Sequence, residues 1–183
     1  MAVLKVAKLG NPVLRQIARQ VNIKELADPK GELQNFIDDM IDTMRQEGGA
    51  GLAAPQVNRS IQVVVLEVEN NERYPDEAPI PVTALVNPVL SDFSEETVLG
   101  WESCLSLIDF RGLVSRSASV TLNAYDREGN KVEKRATGFE AVVLQHEIDH
   151  LNGKVFLDRM EDLTQLAYQE EFEEFWLKKD SVP

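Results

Sequence analysis

The chain has 183 residues, 31 acidic against 19 basic side chains, a formal net charge of -12 at pH 7, one cysteine and two histidines. That length suits one domain, 1–183, burying roughly 70% of its unfolded surface, and the acidic balance disfavours nonspecific binding to nucleic acid or anionic membranes. A single cysteine excludes an intrachain disulfide scaffold and is compatible with the reducing cytosol; no stretch reaches membrane-spanning length, and residues 1–5 do not open a signal peptide.

The chain begins with a short apolar segment and then Asn11-Pro12, a turn or helix-start signal. Leu33, Phe36, Ile37, Met40, Ile41 and Met44 fall on one helical face, while Glu32, Asp38, Asp39 and Arg45 lie off it. Gly48-Gly49 ends this first helix. The two methionines sit at packing spacing and read as core. Residues 49–56, Gly-Ala-Gly-Leu-Ala-Ala-Pro-Gln, are too poor in side chains for ordinary core and too apolar for a linker. Their glycines suit close backbone approach, and Gln56 brings an amide that can donate to an oxyanion. A helix stop followed by a small-residue turn is the plainer reading of the same residues.

Residues 61–66 read as a buried strand, and 70–81, with three prolines and several charges, as an exposed loop. Residues 84–90 and 95–99 are further strand candidates, with Pro88 demoting the first to an edge or a bulge. Residues 119–125 and 131–136, joined by 126–130, make a hairpin. No internal repeat, low-complexity tract or domain linker interrupts this pattern.

Both histidines fall in Gln145-His146-Glu147-Ile148-Asp149-His150, where a spacing of four puts two imidazoles on one helix face. The apolar run 139–144 precedes them, Thr137-Gly138-Phe139-Glu140 reads as a capping box, and Asn152-Gly153 as a stop. An amphipathic helix with Val142, Val143 and Leu144 towards a core would hold this metal clamp rigidly. A buried helix with merely hydrogen-bonded histidines is the alternative, and two of them at ligand spacing around a glutamate fit it poorly. Catalytic sites commonly take three protein ligands, so a third must come from elsewhere. Cys104, in a strand-and-turn stretch at 101–106, is a candidate, although by itself it reads better as a small buried hydrophobe. Further on, Leu163, Leu166, Phe172, Phe175 and Trp176 recur at helical spacing among Glu170, Glu171, Glu173 and Glu174. An amphipathic terminal helix over 163–179, docked on the body, is expected.

Residues 49–56, 102–106 and 145–150 together resemble the three ordered motifs of the peptide deformylases, G-x-G-L-A-A-x-Q, E-G-C-L-S and Q-H-E-x-D-H. These metal hydrolases remove the formyl group from the N-terminal methionine of nascent chains. Ser103, in the usual glycine position, is the one departure. The similarity extends to Asn11-Pro12-Val13-Leu14-Arg15 and to residues 153–159. The resemblance implies an α+β domain whose strands wrap a central helix carrying the H-E-x-x-H motif, with an N-terminal and a C-terminal helix. It implies that Cys104, His146 and His150 hold one divalent metal. Fe2+ is the family's more frequent choice, Zn2+ suits a tetrahedral S/N site on general grounds, and Ni2+ or Co2+ would substitute.

On this resemblance Glu147 moves the proton of an activated water to the leaving amine, while the Gln56 amide and the Leu105 backbone N–H hold the oxyanion. Ala50, Gly51 and Ser103 lie beside the peptide through their backbone, and Val142, Val143 and Leu105 form the methionine pocket. Arg111 is within reach of an incoming peptide or is simply a solvated loop residue. Glu102 pairs with Arg116, either to orient a ligand or as a surface ion pair, and Asp149 faces away from the histidines to tie down neighbouring structure. The implied partners are formyl-methionyl nascent peptides in the cytoplasm, met in transient proximity to the ribosome. Some family members carry a basic C-terminal helix thought to dock there, and an acidic helix departs from that. Two other functions compete. A zinc peptidase usually completes H-E-x-x-H with His or a carboxylate, unlike a cysteine site. A non-catalytic binder of metal and peptide ends would need neither Glu147 nor Gln56.

Overall fold

The computed structural model describes residues 2–69 and 78–177. The first apolar stripe forms α1 (Glu32–Gln46), with Leu33, Phe36, Ile37, Met40, Ile41 and Met44 buried, and Gly48 at φ 66° turning the chain out of it. Before it lie two 3-10 turns, Pro12–Arg15 and Ile23–Ala27, each opened by an asparagine side chain that accepts a backbone N–H. β1 (Gly51–Ala53), β2 (Val63–Val68) and β3 (Ile80–Ser91) follow, then β4 (Thr97–Glu102), β5 (Phe110–Ser117), β6 (Ser119–Tyr125) and β7 (Lys131–Thr137). α2 (Gly138–Leu151), β8 (Leu166–Tyr168) and α3 (Gln169–Phe175) complete the described residues. Five strands pair antiparallel in the order β1-β2-β3-β6-β7, and three in the order β4-β5-β8. Among the described residues the fold is mixed α+β, with three α-helices and two antiparallel sheets.

β2 shows why its sequence is a continuous apolar run. Val63 and Val65 pack with α1, while Val64 and Leu66 pack with Leu144, Ile148 and Leu151 of α2, so both faces of the strand are covered. A third cluster, Leu107, Val114, Val155 and Phe156 with Cys104, lies under the smaller sheet. α2 touches strands of both sheets. Among the described residues no helix is long and apolar enough to cross a membrane.

Several expectations are corrected. Of the expected loop 70–81, residues 70–77 lie outside the described residues, and Ile80 and Pro81 already belong to β3. β3 is a central strand, and Pro88 is accommodated by a bulge: the register shifts between Val86 and Val89, with Asn87 at φ 51°. The freed Asn87 amide takes up both Val21 backbone groups, at 2.8 and 2.9 Å. The strand expected at 61–66 runs over Val63–Val68, and that expected at 95–99 runs over Thr97–Glu102. β5 was not anticipated.

α2 departs from its expected cap and its expected amphipathicity. Thr137 makes no capping bond, Gly138 sits at φ 58°, and Glu140 pairs with Lys134 of β7 instead of turning back to the helix end. Ala141 and every residue from Val143 to Leu151 are buried, so the helix has no solvent face over most of its length. The C-terminal segment is not one helix either. Leu163–Gln165 is a 3-10 turn, and β8 covers the edge of β5, pairing Phe110 with Tyr168. Only then does α3 begin, docking Phe172 and Trp176 on Trp101 at ring distances of 5.0 and 5.1 Å. Residues 178 and 179 of the expected helix lie outside the described residues.

Candidate metal centre and active site

α2 carries His146 and His150 on one face, and the chain leaving β4 brings Cys104 against them. The Cys104 Sγ and one ring nitrogen of each histidine all lie within 4.8 Å of one another, buried, with Sγ 3.3 Å from His150 Nε2. Burial alone would raise the Cys104 thiol, yet the two imidazoles hold it well below its ordinary value. One soft thiolate and two imidazoles at this spacing fit a divalent transition metal.

The surrounding groups orient these donors. His146 Nδ1 lies 2.8 Å from Glu102 Oε2. Because that oxygen accepts, Nδ1 carries the proton and the other ring nitrogen is left to face the thiolate. Burial would raise the Glu102 carboxyl, but His146 and Arg116 hold it down to about 2. Arg116 grips it bidentately, Nε to Oε1 at 2.7 Å and Nη2 to Oε2 at 3.0 Å. Both side chains are buried, so this pair is not a surface ion pair. Gln145 fastens α2 to β5 by donating to Ser117 O at 2.9 Å and accepting from Ser117 N–H at 3.2 Å.

Glu147 points into the site from the same helix. Its Oε2 is buried without a hydrogen-bond partner among the described residues, and burial pushes its carboxyl up to about 7 against the opposing pull of His146 and His150. The glycine at position 51 is explained by this carboxylate: a Cβ there would stand 2.6 Å from Glu147 Oε1. Gln56 is held by its own turn. Its Oε1 accepts from Ala53 N–H at 2.8 Å, which aims the NH2 group at Cys104 Sγ and Ser106 Oγ, each 3.4 Å away. The contact to Ser106 Oγ is long, and a sulfur is a weak acceptor, leaving the donor available to an oxyanion.

The polypeptide deformylase family model matches residues 3–166. A Bordetella pertussis protein named peptide deformylase 1 is 42% identical over 165 residues, covering 90% of this chain and 92% of its own. The Nitrosomonas europaea peptide deformylase 1 is 44% identical over 163 residues, covering 89% and 90%. Among solved structures, the class I type b peptide deformylase of Acinetobacter baumannii bound to Met-Ala-Ser matches with a TM-score of 0.81 and 40% identity, over 87% of this chain and 99% of that one. The chain belongs to the polypeptide deformylase family. It is a metal-dependent hydrolase of the kind that removes the N-formyl group from nascent peptides.

In this deformylase a cleft opens above α2, lined by Ala50, Gly51, Gln56, Ser103, Cys104, Leu105, Val142, Val143, His146 and Glu147. His150 lies beneath it, fully buried. Arg111 is the exception among the expected site residues. It sits on β5 opposite Ala167, so it is not a loop residue, and it lines an adjoining groove that shares Trp101, Ser103, Phe139 and Val142 with the cleft. Trp101 and Phe139 also line the cleft and are not among the expected site residues; Trp101 directly precedes the 102–106 motif, whereas Phe139 stands six residues before Gln145 and gives no such signal. The N-terminal segment clamps the two turns of the site. Ala7 N–H donates to Gln56 O at 2.7 Å, Leu9 N–H to Ser106 O at 3.0 Å and Lys8 Nζ to Leu105 O at 2.9 Å.

Proposed function

We propose that Cys104, His146 and His150 hold one divalent metal, Fe2+ in the working enzyme with Zn2+ as the alternative, and that Ni2+ or Co2+ substitutes. The observation that carries this reading is the convergence of the sole cysteine and both histidines on one buried point. A metal held there supplies Lewis acidity, lowering the pKa of water and polarising the formyl oxygen.

The remaining steps belong to the chain. Glu147 Oε2, unpartnered and with its carboxyl poised near neutrality, takes a proton from water as the water oxygen adds to the formyl carbon, and delivers that proton to the methionine nitrogen as the formyl C–N bond breaks. Formate and a free amine result. Gln56 Nε2 and the Leu105 N–H, at the first position of the 3-10 turn Leu105–Leu107 where no intrahelical acceptor exists, donate to the oxyanion. Gly51, Gln56 and Leu105 leave room for a formyl hydrogen but not for a methyl group. Ala50, Gly51 and Ser103 flank the peptide, and Val142, Val143 and Leu105 receive the methionine side chain. The Acinetobacter relative bound to Met-Ala-Ser supports a substrate beginning with that sequence. The architecture reads as strands wrapped around a central metal-bearing α2 within a single catalytic domain, 1–183. It would work in the cytoplasm on chains emerging near the ribosome, with the acidic α3 offering no basic docking face.

Purified protein loaded with its metal should release formate from formyl-Met-Ala-Ser, leave internal peptide bonds uncut and turn over acetyl-Met-Ala-Ser far more slowly. Cleavage inside an unformylated peptide, without formate release from the formylated one, would overturn the site assignment in favour of a peptidase.

A further inference from the structure

Asp149 lies on the face of α2 turned away from the cleft, with its side chain only 6% exposed. It accepts from Arg116 Nη1 at 2.6 Å and from Arg159 Nε at 2.9 Å, and Arg159 Nη2 reaches its second oxygen. Arg116 gives its other two nitrogens to Glu102, which in turn takes His146 Nδ1. An unbroken chain therefore runs Arg159, Asp149, Arg116, Glu102, His146. Its two guanidinium groups balance its two carboxylates in charge. The chain starts on the 3-10 turn Phe156–Arg159, where the Arg159 side chain is 42% exposed, and ends on a ring that faces Cys104.

We propose that Arg159 and Asp149 are positioning residues for the metal centre, holding Arg116 and through it Glu102 in the orientation that fixes the His146 ring. This inference rests on the metal-site reading above. Arg116 serves two buried carboxylates at once, and its geometry depends on how each is otherwise satisfied. With Arg159 in place, Asp149 has two cationic partners and draws only one nitrogen from Arg116. Without it, Asp149 is a buried carboxylate with one oxygen uncompensated, and the guanidinium moves towards it. The two-bond grip on Glu102 then loosens, and His146 loses the acceptor that sets its ring plane and tautomer. Arg45 provides the contrast: it grips Glu67 just as closely, at 2.5 and 2.7 Å, but its side chain is 51% exposed and the pair leads to no metal-ligating side chain.

The test is Zn2+ affinity by competition with a chromogenic chelator. Removing a hydrogen-bond partner of a metal-ligating histidine typically costs about 10–100-fold in affinity, and Arg159→Ala, acting further out, should cost about tenfold. Arg159→Lys should recover part of that loss, and Arg45→Ala should leave the affinity unchanged. In a Glu102→Gln background, Arg159→Ala should add less than about a twofold further loss, because the route to His146 is already cut. Affinity within twofold of wild type in Arg159→Ala, an equal loss in Arg45→Ala, or losses that multiply in the double variant would each overturn the relay. If Arg159→Ala does not fold, the same cycle is run with Arg159→Gln, which removes the charge, and an affinity unchanged from wild type there overturns the proposal. Wild-type protein that holds no Zn2+ defeats the metal-site reading together with the relay. Tight wild-type binding with an unaffected Arg159 variant defeats the relay alone.

Discussion

α2 and α3 are both rich in polar residues and meet opposite conditions. On α2, Gln145, His146, Glu147, Asp149 and His150 are all buried. On α3 no residue is buried: Glu170, Glu171, Glu173 and Glu174 face solvent, and Gln169 and Phe172 are half-buried. A buried polar group is costly unless a neighbour answers it, so side chains on α2 acquire assigned partners such as Glu102, Arg116 and Ser117. The exceptions are telling: Glu147 Oε2 and His150 Nδ1 are the buried atoms of α2 left without a hydrogen-bond partner among the described residues, and both belong to the site. Charges on α3 are solvated and screened, and each one is individually replaceable.

That contrast can be broken from either side. The largest effect is expected on α2, where Glu147→Ala should retain metal and fold yet lose about 10² to 10⁴-fold in turnover, as proton-transfer groups typically do. An unchanged rate, measured by formate release with metal content checked in parallel, would remove the carboxylate from the chemistry. Gly51→Ala acts on the same group indirectly. The new Cβ, at 2.6 Å from Glu147 Oε1, must displace the carboxylate, and misplacement on the scale of an ångström can cost about 10²-fold in kcat. A kcat near wild type would mean that Glu147 tolerates movement. The smallest effects belong to α3. Phe172→Ala, removing one ring from the Trp101 contact, should lower stability by about 1 kcal/mol and leave turnover of a formylated tripeptide unaltered. Glu171→Gln should stay within about 0.5 kcal/mol of wild type in thermal unfolding. Loss of bound metal in either variant would show that α3 supports the site after all.

Legibility in the sequence follows the same division. The clamp of α2 was readable because ligand spacing on a helix is a local pattern, and Gln56 because the stretch around it is so poor in side chains. Cys104 became a ligand candidate only beside the histidines, since a lone cysteine looks like core. β5 was not readable. Its buried positions include Gly112 and Arg116, residues that signal turn and surface, and the reason Arg116 is inside lies on two other elements, at Glu102 and Asp149. The over-long C-terminal helix has a similar cause: β8 is three residues that pair with β5, and long-range pairing leaves no periodicity in so short a segment. The capping box at Thr137 failed because Glu140 found Lys134 on β7. Charge partners across elements are settled by tertiary packing, which local patterns do not report.

The claim on which everything else depends is that one thiolate and two imidazoles share a single metal, and X-ray absorption at the metal edge of the Zn2+-loaded protein tests it most directly. The account predicts a shell with one sulfur at about 2.3 Å and two imidazole nitrogens at about 2.0–2.1 Å, with the sulfur absent from whatever metal Cys104→Ala retains. A wild-type shell made only of nitrogen and oxygen would contradict it.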